Sequence, residues 1–234
     1  MTTLITQENY LEKLNEVSFP KVGTFWYAVF DNFLPPIEYA QLKECLSNTS
    51  GNPTFPWYFE KSITGPCPNE SPEAFYFVNL LFDCNNVKNE WHSSVPNLTP
   101  FMNIIKKLNM MSLMRIKVNM YMKTYLPTVE IHAPHIDYNV DHIGALFFLT
   151  TCDAPTMMED GTPIESKENR MLFFNASRPH SSGAPTDVLY RQTINFNYFG
   201  DGTTNFVHAG QGENMILAAS KNVNLNPFLF NVSQ

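Results

Sequence analysis

Charge is scarce in this chain: 16% of its residues are Asp, Glu, Lys or Arg, and 15 basic residues face 22 acidic ones, for a formal charge of −7. That deficit of Lys and Arg gives no basic footprint for nucleic acid or an anionic membrane, so neither is expected as a partner. Cysteine is sparse too. Cys45, Cys67, Cys84 and Cys152 are scattered without C-x-x-C spacing, which argues against a zinc knuckle or a disulfide framework and leaves free thiols as the expected state. No apolar run approaches the roughly 20 residues that cross a bilayer. The opening Met1-Thr-Thr-Leu-Ile has no basic segment before a long apolar core, so a cytoplasmic location is expected. Without a secretory signal, Asn-x-Ser/Thr triplets such as Asn97-Leu98-Thr99 carry no glycosylation reading.

What is present is a globular composition, 44% hydrophobic over 234 residues, enough for a single domain with a sizeable core. Tyr10, Leu14 and Val17 predict a short amphipathic helix over 7–17, with Thr6 as its N-cap. Thr24 to Phe30 reads as a buried strand leading through Asp31-Asn-Phe-Leu-Pro-Pro36 into a helix that ends before Gly51. The Gly-, Pro- and Asn-rich stretch 47–67 is a loop pinned by Phe55-Pro-Trp-Tyr-Phe59; the same aromatics could wall a cleft. Phe75 to Phe82 predicts another strand. Phe101, Ile104, Ile105 and Leu108 predict a helix capped by Thr99 with Pro100 in its first turn.

From residue 113 the period becomes two. Met114, Ile116, Val118, Met120 and Met122 share one face, and Arg115, Lys117, Asn119, Tyr121 and Lys123 the other. Residues 144–151, 170–175 and 191–199 are further strands without crossover helices, which implies an antiparallel sandwich or barrel, mainly β with flanking helices.

The first of these strands is followed by His135-Ile-Asp137. In extended chain two residues apart point the same way, and Pro134 disfavours helix, so His135 and Asp137 can grip one ion. They supply two thirds of the 2-His-1-carboxylate triad that binds non-haem Fe(II). His180, at the end of an apolar strand running into a turn-rich loop, is the candidate third ligand. His132 lies an odd number of residues from His135 and His142 falls in a turn, so both read as supporting or surface residues. His92 and His208 have no partner at ligand spacing.

The order His-x-Asp, a distant His, then Arg191 eleven residues on resembles the 2-oxoglutarate- and Fe(II)-dependent oxygenases, above all the prolyl-hydroxylase-like oxygenases encoded by bacteriophages and other viruses. The likeness runs from about Arg115 to Phe199 and includes Asn119-x-Tyr121, Glu159-Asp160-Gly161-Thr162 and Asn169-Arg170. It implies a double-stranded β-helix, a cupin-like jelly-roll barrel. Residues 113–200 would form its core, 1–112 the N-terminal helices and supporting strands, and 201–234 a C-terminal extension. It implies that His135, Asp137 and His180 hold Fe(II), and that Arg191, with Thr193 on the same strand face, holds 2-oxoglutarate. Asn119 and Tyr121 would touch that cosubstrate, or else continue a solvated polar face. O2 is the co-oxidant, ascorbate a reductant, and hydroxylation of a C–H bond the reaction, releasing succinate and CO2. A Gly or Ala in place of Asp137 would have suggested halogenation. The substrate is a protein, a peptide or a small molecule, with peptidyl proline suggested by analogy alone. A virally encoded protein would work in the host cytoplasm. A catalytically silent jelly-roll module and a cupin-type metal enzyme without a keto acid stay open, as does the oligomeric state.

Overall fold

The computed structural model describes residue 10, residues 23–47, 55–63, 75–84, 98–108 and 110–200, and the backbone of 215–219. Apart from Tyr10, which is helical and buried, the expected helix over 7–17 lies outside the described residues, as do the sites of Cys67, His92 and His208. The first strand, β1, is Trp26–Phe30, and helix α1 is Pro36–Ser47. Pro36 sits where its missing N–H costs nothing, and Glu38 favours the positive end of the helix. Next come β2 (Tyr58–Glu60), β3 (Tyr76–Asp83), a 3-10 turn (Thr99–Phe101) and the six-residue α2 (Met102–Lys107). Thr99 stands inside the 3-10 turn rather than ahead of it, so Leu98 takes the cap position of the turn and Phe101 that of α2.

The long β4 (Ser112–Met122) is followed by β5 (Glu130–Ile131), β6 (Ile143–Phe148), β7 (Cys152–Met158), β8 (Pro163–Ser166), β9 (Arg170–Asn175), β10 (His180–Ala184), β11 (Tyr190–Phe199) and β12 (Met215–Ala219). An eight-stranded sheet has the order β12-β1-β9-β6-β11-β4-β3-β2, and a four-stranded sheet β5-β10-β7-β8. From β4 to β11 the chain passes back and forth between the sheets, so that β4, β11, β6 and β9 face β5, β10, β7 and β8. That alternation is the double-stranded β-helix, mainly β with two short helices among the described residues. β12, from the segment after 200, pairs with β1 at the sheet edge.

Two cores follow from period two. On the outer face of the large sheet, Ile116, Val118, Phe147, Phe173, Ile194 and Phe196 pack with Leu42 and Leu46 of α1 and Ile104 of α2. Between the sheets, Leu146, Phe148, Leu172 and Phe174 meet Met158 and Ile164. Residues alternate between these cores along β6 and β9, and each fully buried large apolar side chain contributes about 1.5–3 kcal/mol. Phe55 and Trp57 join the outer core, packing edge to face at 5.0 Å, so they anchor the loop.

The N-terminal segment is clamped to the barrel by Asn169 and Arg170. Asn169, at φ 60°, accepts from Leu34 N at 2.9 Å and donates to Leu34 O at 2.8 Å. Arg170 grips Asp31 through Nε (2.6 Å) and a second guanidinium nitrogen (3.1 Å). The Asn169-Arg170 and Glu159 to Thr162 motifs are thus architectural: the latter turns β7 into β8, with Gly161 at φ 80°, a conformation that favours glycine.

Candidate metal and cosubstrate site

His180 does not stand in a loop; it opens β10. The turn-rich sequence before it is only the short turn from β9. His135 and His180 form an isolated antiparallel bridge, with His135 N donating to His180 O at 2.9 Å and His180 N to His135 O at 3.0 Å. That bridge sets the two imidazoles side by side, ring centres 4.5 Å apart. Asp137 lies in a bend rather than a strand, held by its N–H to Ala176 O at 3.0 Å. One ligand atom from each of His135, Asp137 and His180 falls within 4.8 Å of the others.

The donor set suits a divalent metal. The Arg178 carbonyl, 3.0 Å from His180 Nδ1, can only accept, so the proton sits on Nδ1 and Nε2 keeps its lone pair. Arg178 is itself pinned by an ion pair with Glu159. His135 Nδ1 is buried without a partner. Burial, then the neighbouring His180, pushes the His135 pKa down to about 3, so the ring is neutral and able to ligate.

Asp137 is held on both oxygens. Arg115 donates to Oδ1 at 2.5 Å, while Asn195 and Asn197 donate to Oδ2 at 3.1 and 2.8 Å. Burial alone would raise its pKa, but the Arg115 charge, helped by the Asn197 hydrogen bond, holds it well below the usual carboxylate range. Asn197 Oδ1 accepts from Arg115 Nε at 2.9 Å, and its amide also donates to His142 Nε2 at 3.1 Å. His142 can accept there because its Nδ1–H goes to Val140 O at 2.7 Å. His142 is thus a buried supporting residue, two bonds from Asp137.

The β4–β11 ladder arranges the remaining candidates in cross-strand rows on the inner face: Tyr121 with Arg191, Asn119 with Thr193, Lys117 with Asn195, and Arg115 with Asn197. Arg191 is 0% exposed. Its guanidinium reaches Ser166 Oγ (3.2 Å), Gly183 O (3.3 Å) and Thr156 Oγ1 (2.7 Å) and lies between the Tyr121 and Phe148 rings, each 5.5 Å away. Every one of these partners is neutral, and no carboxylate pairs with Arg191 among the described residues. Beside it Thr193 Oγ1 and Asn119 Oδ1 are buried without hydrogen-bond partners. Tyr121 and Asn119 are 8% and 5% exposed, so the solvated-face alternative fails for them.

His132 is also buried, its Nδ1 2.9 Å from Ser182 Oγ and its ring 5.5 Å from that of Tyr121. Burial, reinforced by the Arg191 charge, pushes its pKa down to about 3. Sequence reasoning passed over Arg115, Lys117, Asn195 and Asn197 as site residues. The signal was there: 191, 193, 195 and 197 are all polar at a spacing of two, matching the polar alternation of β4.

No protein-family model and no curated protein matches the sequence. Among solved structures, the chain is similar to a prolyl-4-hydroxylase from Pseudomonas putida (12% identity, TM-score 0.45, covering 82% of this chain and 98% of that one). It is also similar to an oxidoreductase of the 2OG-Fe(II) oxygenase family from Burkholderia pseudomallei (9%, 0.46, 85% and 93%). A third likeness is to a viral collagen prolyl hydroxylase from Paramecium Bursaria Chlorella virus-1 (15%, 0.40, 78% and 95%). Such identities carry no activity across, and the chemistry rests on the side chains themselves.

Proposed function

We propose that the chain is a 2-oxoglutarate- and Fe(II)-dependent dioxygenase that hydroxylates a C–H bond. The observation that carries the reading is Arg191, a fully buried guanidinium with no counter-ion among the described residues, turned from the large sheet into the same barrel that holds three convergent metal-type ligands. An unpaired buried charge is expensive, and its burial here is explained by an anion that arrives as a ligand. A dicarboxylate that reaches from the triad to Arg191 meets both features at once.

His135, Asp137 and His180 would hold Fe(II), which with 2-oxoglutarate and O2 supplies the oxidising chemistry when bound. The protein's own residues do the rest. Arg191 and Thr193 would bind the far carboxylate of 2-oxoglutarate, the fork bidentately and the hydroxyl as a further donor. Asn119 and Tyr121 would flank the same molecule. Asn195 and Asn197 orient the Asp137 carboxylate, and the apolar inner wall of Leu146, Phe148, Leu172 and Phe174 keeps water from the reacting centre. A protein or peptide side chain is the proposed substrate, with proline the first to try; small molecules are the alternative class.

The test is a metal and cosubstrate titration followed by turnover. One Fe(II) per chain is expected, with most of it lost in His135→Ala, Asp137→Ala and His180→Ala, together with 2-oxoglutarate-dependent succinate formation. Full occupancy in His180→Ala would show the ligand set to be wrong. Absence of metal binding points to a silent module, and metal without 2-oxoglutarate binding to a cupin-type enzyme.

A further inference from the structure

Lys117 is a cation that the oxygenase chemistry leaves unused. It lies on the inner face of β4, opposite Asn195, whose amide holds Asp137, and its charge reaches both Asp137 and His135. It is partly buried. Its Nζ donates to the Tyr76 hydroxyl at 2.8 Å, leaning toward β3, while Tyr76 stacks on Tyr121 with ring centres 5.6 Å apart. No carboxylate forms an ion pair with Lys117 among the described residues: Asp137 is engaged by Arg115, and Glu60, which also feels its charge, stays exposed on β2. Burial, then the repulsion of Arg115, lowers the ammonium pKa to about 8.

The charges on this face do not balance with the proposed ligands in place. The far carboxylate of 2-oxoglutarate would meet Arg191, and Asp137 meets Arg115, which leaves Lys117 as a partly buried cation with no ion-pair partner among the described residues, a costly arrangement. Arg191 takes the far end of the cosubstrate, and Lys117 stands two rows away toward Asp137, leaning to the β3 side.

We infer that the primary substrate carries a carboxylate and that Lys117 is its counter-ion, selecting acidic over neutral substrates on the inner face of β4 beside Tyr76 of β3. This rests on the oxygenase reading and names the substrate class of that same site. The overall charge of −7 does not oppose it, because the site's inner face is locally basic. The carboxylate has two sources: the terminal group of a free amino acid, or an acidic side chain within a peptide.

The experiment uses the full chain loaded with Mn(II) and 2-oxoglutarate without O2, so that no turnover occurs. Binding of both is established by titration first; failure there removes the oxygenase reading itself, before any substrate probe is added. Matched probes differing by one charge are then titrated: N-acetyl amino acids against their amides, and capped peptides with Asp or Glu against the same peptides with Asn or Gln. Some carboxylate probes should bind about tenfold to a hundredfold tighter than their neutral partners, the worth of one charge-assisted hydrogen bond. Lys117→Met should abolish that preference and Lys117→Arg restore it, while 2-oxoglutarate affinity stays within about twofold. Which matched set shows the preference identifies the source. Equal binding within every pair, no binding by any probe, or a preference that survives Lys117→Met would overturn the inference. So would a loss of 2-oxoglutarate affinity in Lys117→Met, which would place the lysine on the cosubstrate.

Discussion

β9 and β6 lie beside β11 and β4 in one sheet, and all four present apolar side chains to the helices outside, yet inside the barrel they differ completely. The first pair turns Leu172, Phe174, Leu146 and Phe148 inward; the second turns Arg191, Thr193, Asn195, Asn197, Arg115, Lys117, Asn119 and Tyr121 inward. Burial of apolar surface stabilises the fold, whereas burial of charge and amide groups costs free energy unless each is partnered. The outer core and the dry inner half therefore carry stability. The polar half buries charge and amide groups at a cost in stability.

Removing a ring from the outer core should have the largest effect. Phe196→Ala should destabilise by about 3–5 kcal/mol, since Phe196 is fully buried in the cluster against the helices. Thr193→Val, three residues earlier on the same strand and turned to the inner face, should change stability by no more than about 1 kcal/mol, because the buried hydroxyl lacks a partner. Urea unfolding of both variants decides it. Similar losses at the two positions would break the contrast between the faces.

Arg191→Met sharpens the same contrast. The side chain gives up three hydrogen bonds to neutral groups, but the cost of burying an unpaired charge disappears with it, so stability should hold within about 1 kcal/mol. Affinity for 2-oxoglutarate should fall about tenfold to a hundredfold, the equivalent of about 1.5–3 kcal/mol. Thermal melts and a ligand titration on one preparation give both values. A loss of stability as large as that of Phe196→Ala, with cosubstrate affinity unchanged, would make Arg191 a structural residue.

Sequence carried the large sheet far better than the small one. β4, β6, β9 and β11 have long apolar or alternating runs, and their boundaries fall close to those expected. β5 and β8 have two and four residues, β7 contains Pro155, and β10 reads His-Ser-Ser-Gly-Ala, so none shows an apolar alternation to detect. The meeting of His135, Asp137 and His180 was legible because spacing and order constrain it. The surrounding grid was not, because alternation reveals that a strand has two faces without revealing which one meets water. On β4 the polar face, which would face solvent in most half-buried strands, points into the barrel. The Arg115, Asn195 and Asn197 grip on Asp137 depends on a cross-strand register that a single strand's pattern does not contain.

Titration also separates the two inner halves, since the residues of the dry half carry no proton to gain. His132 in the folded chain has its pKa pushed down to about 3 by burial and by Arg191, against an ordinary histidine near 6.5. Between those values the unfolded chain binds a proton that the folded chain refuses. Its contribution is therefore fully present above about pH 6.5 and lost as the pH falls, at about 1.4 kcal/mol per pH unit. His135 adds a loss of the same sign in metal-free protein, its pKa also being about 3. His132→Gln keeps a polar group that can meet Ser182 but removes one titrating ring, so the fall in stability between about pH 6 and pH 4 should flatten by about 1.4 kcal/mol per unit relative to the parent. Urea midpoints at half-unit steps on chelator-treated protein measure both slopes. Equal slopes would mean that His132 takes up its proton in the folded state, and that the polar half admits water where the burial of this ring says it does not.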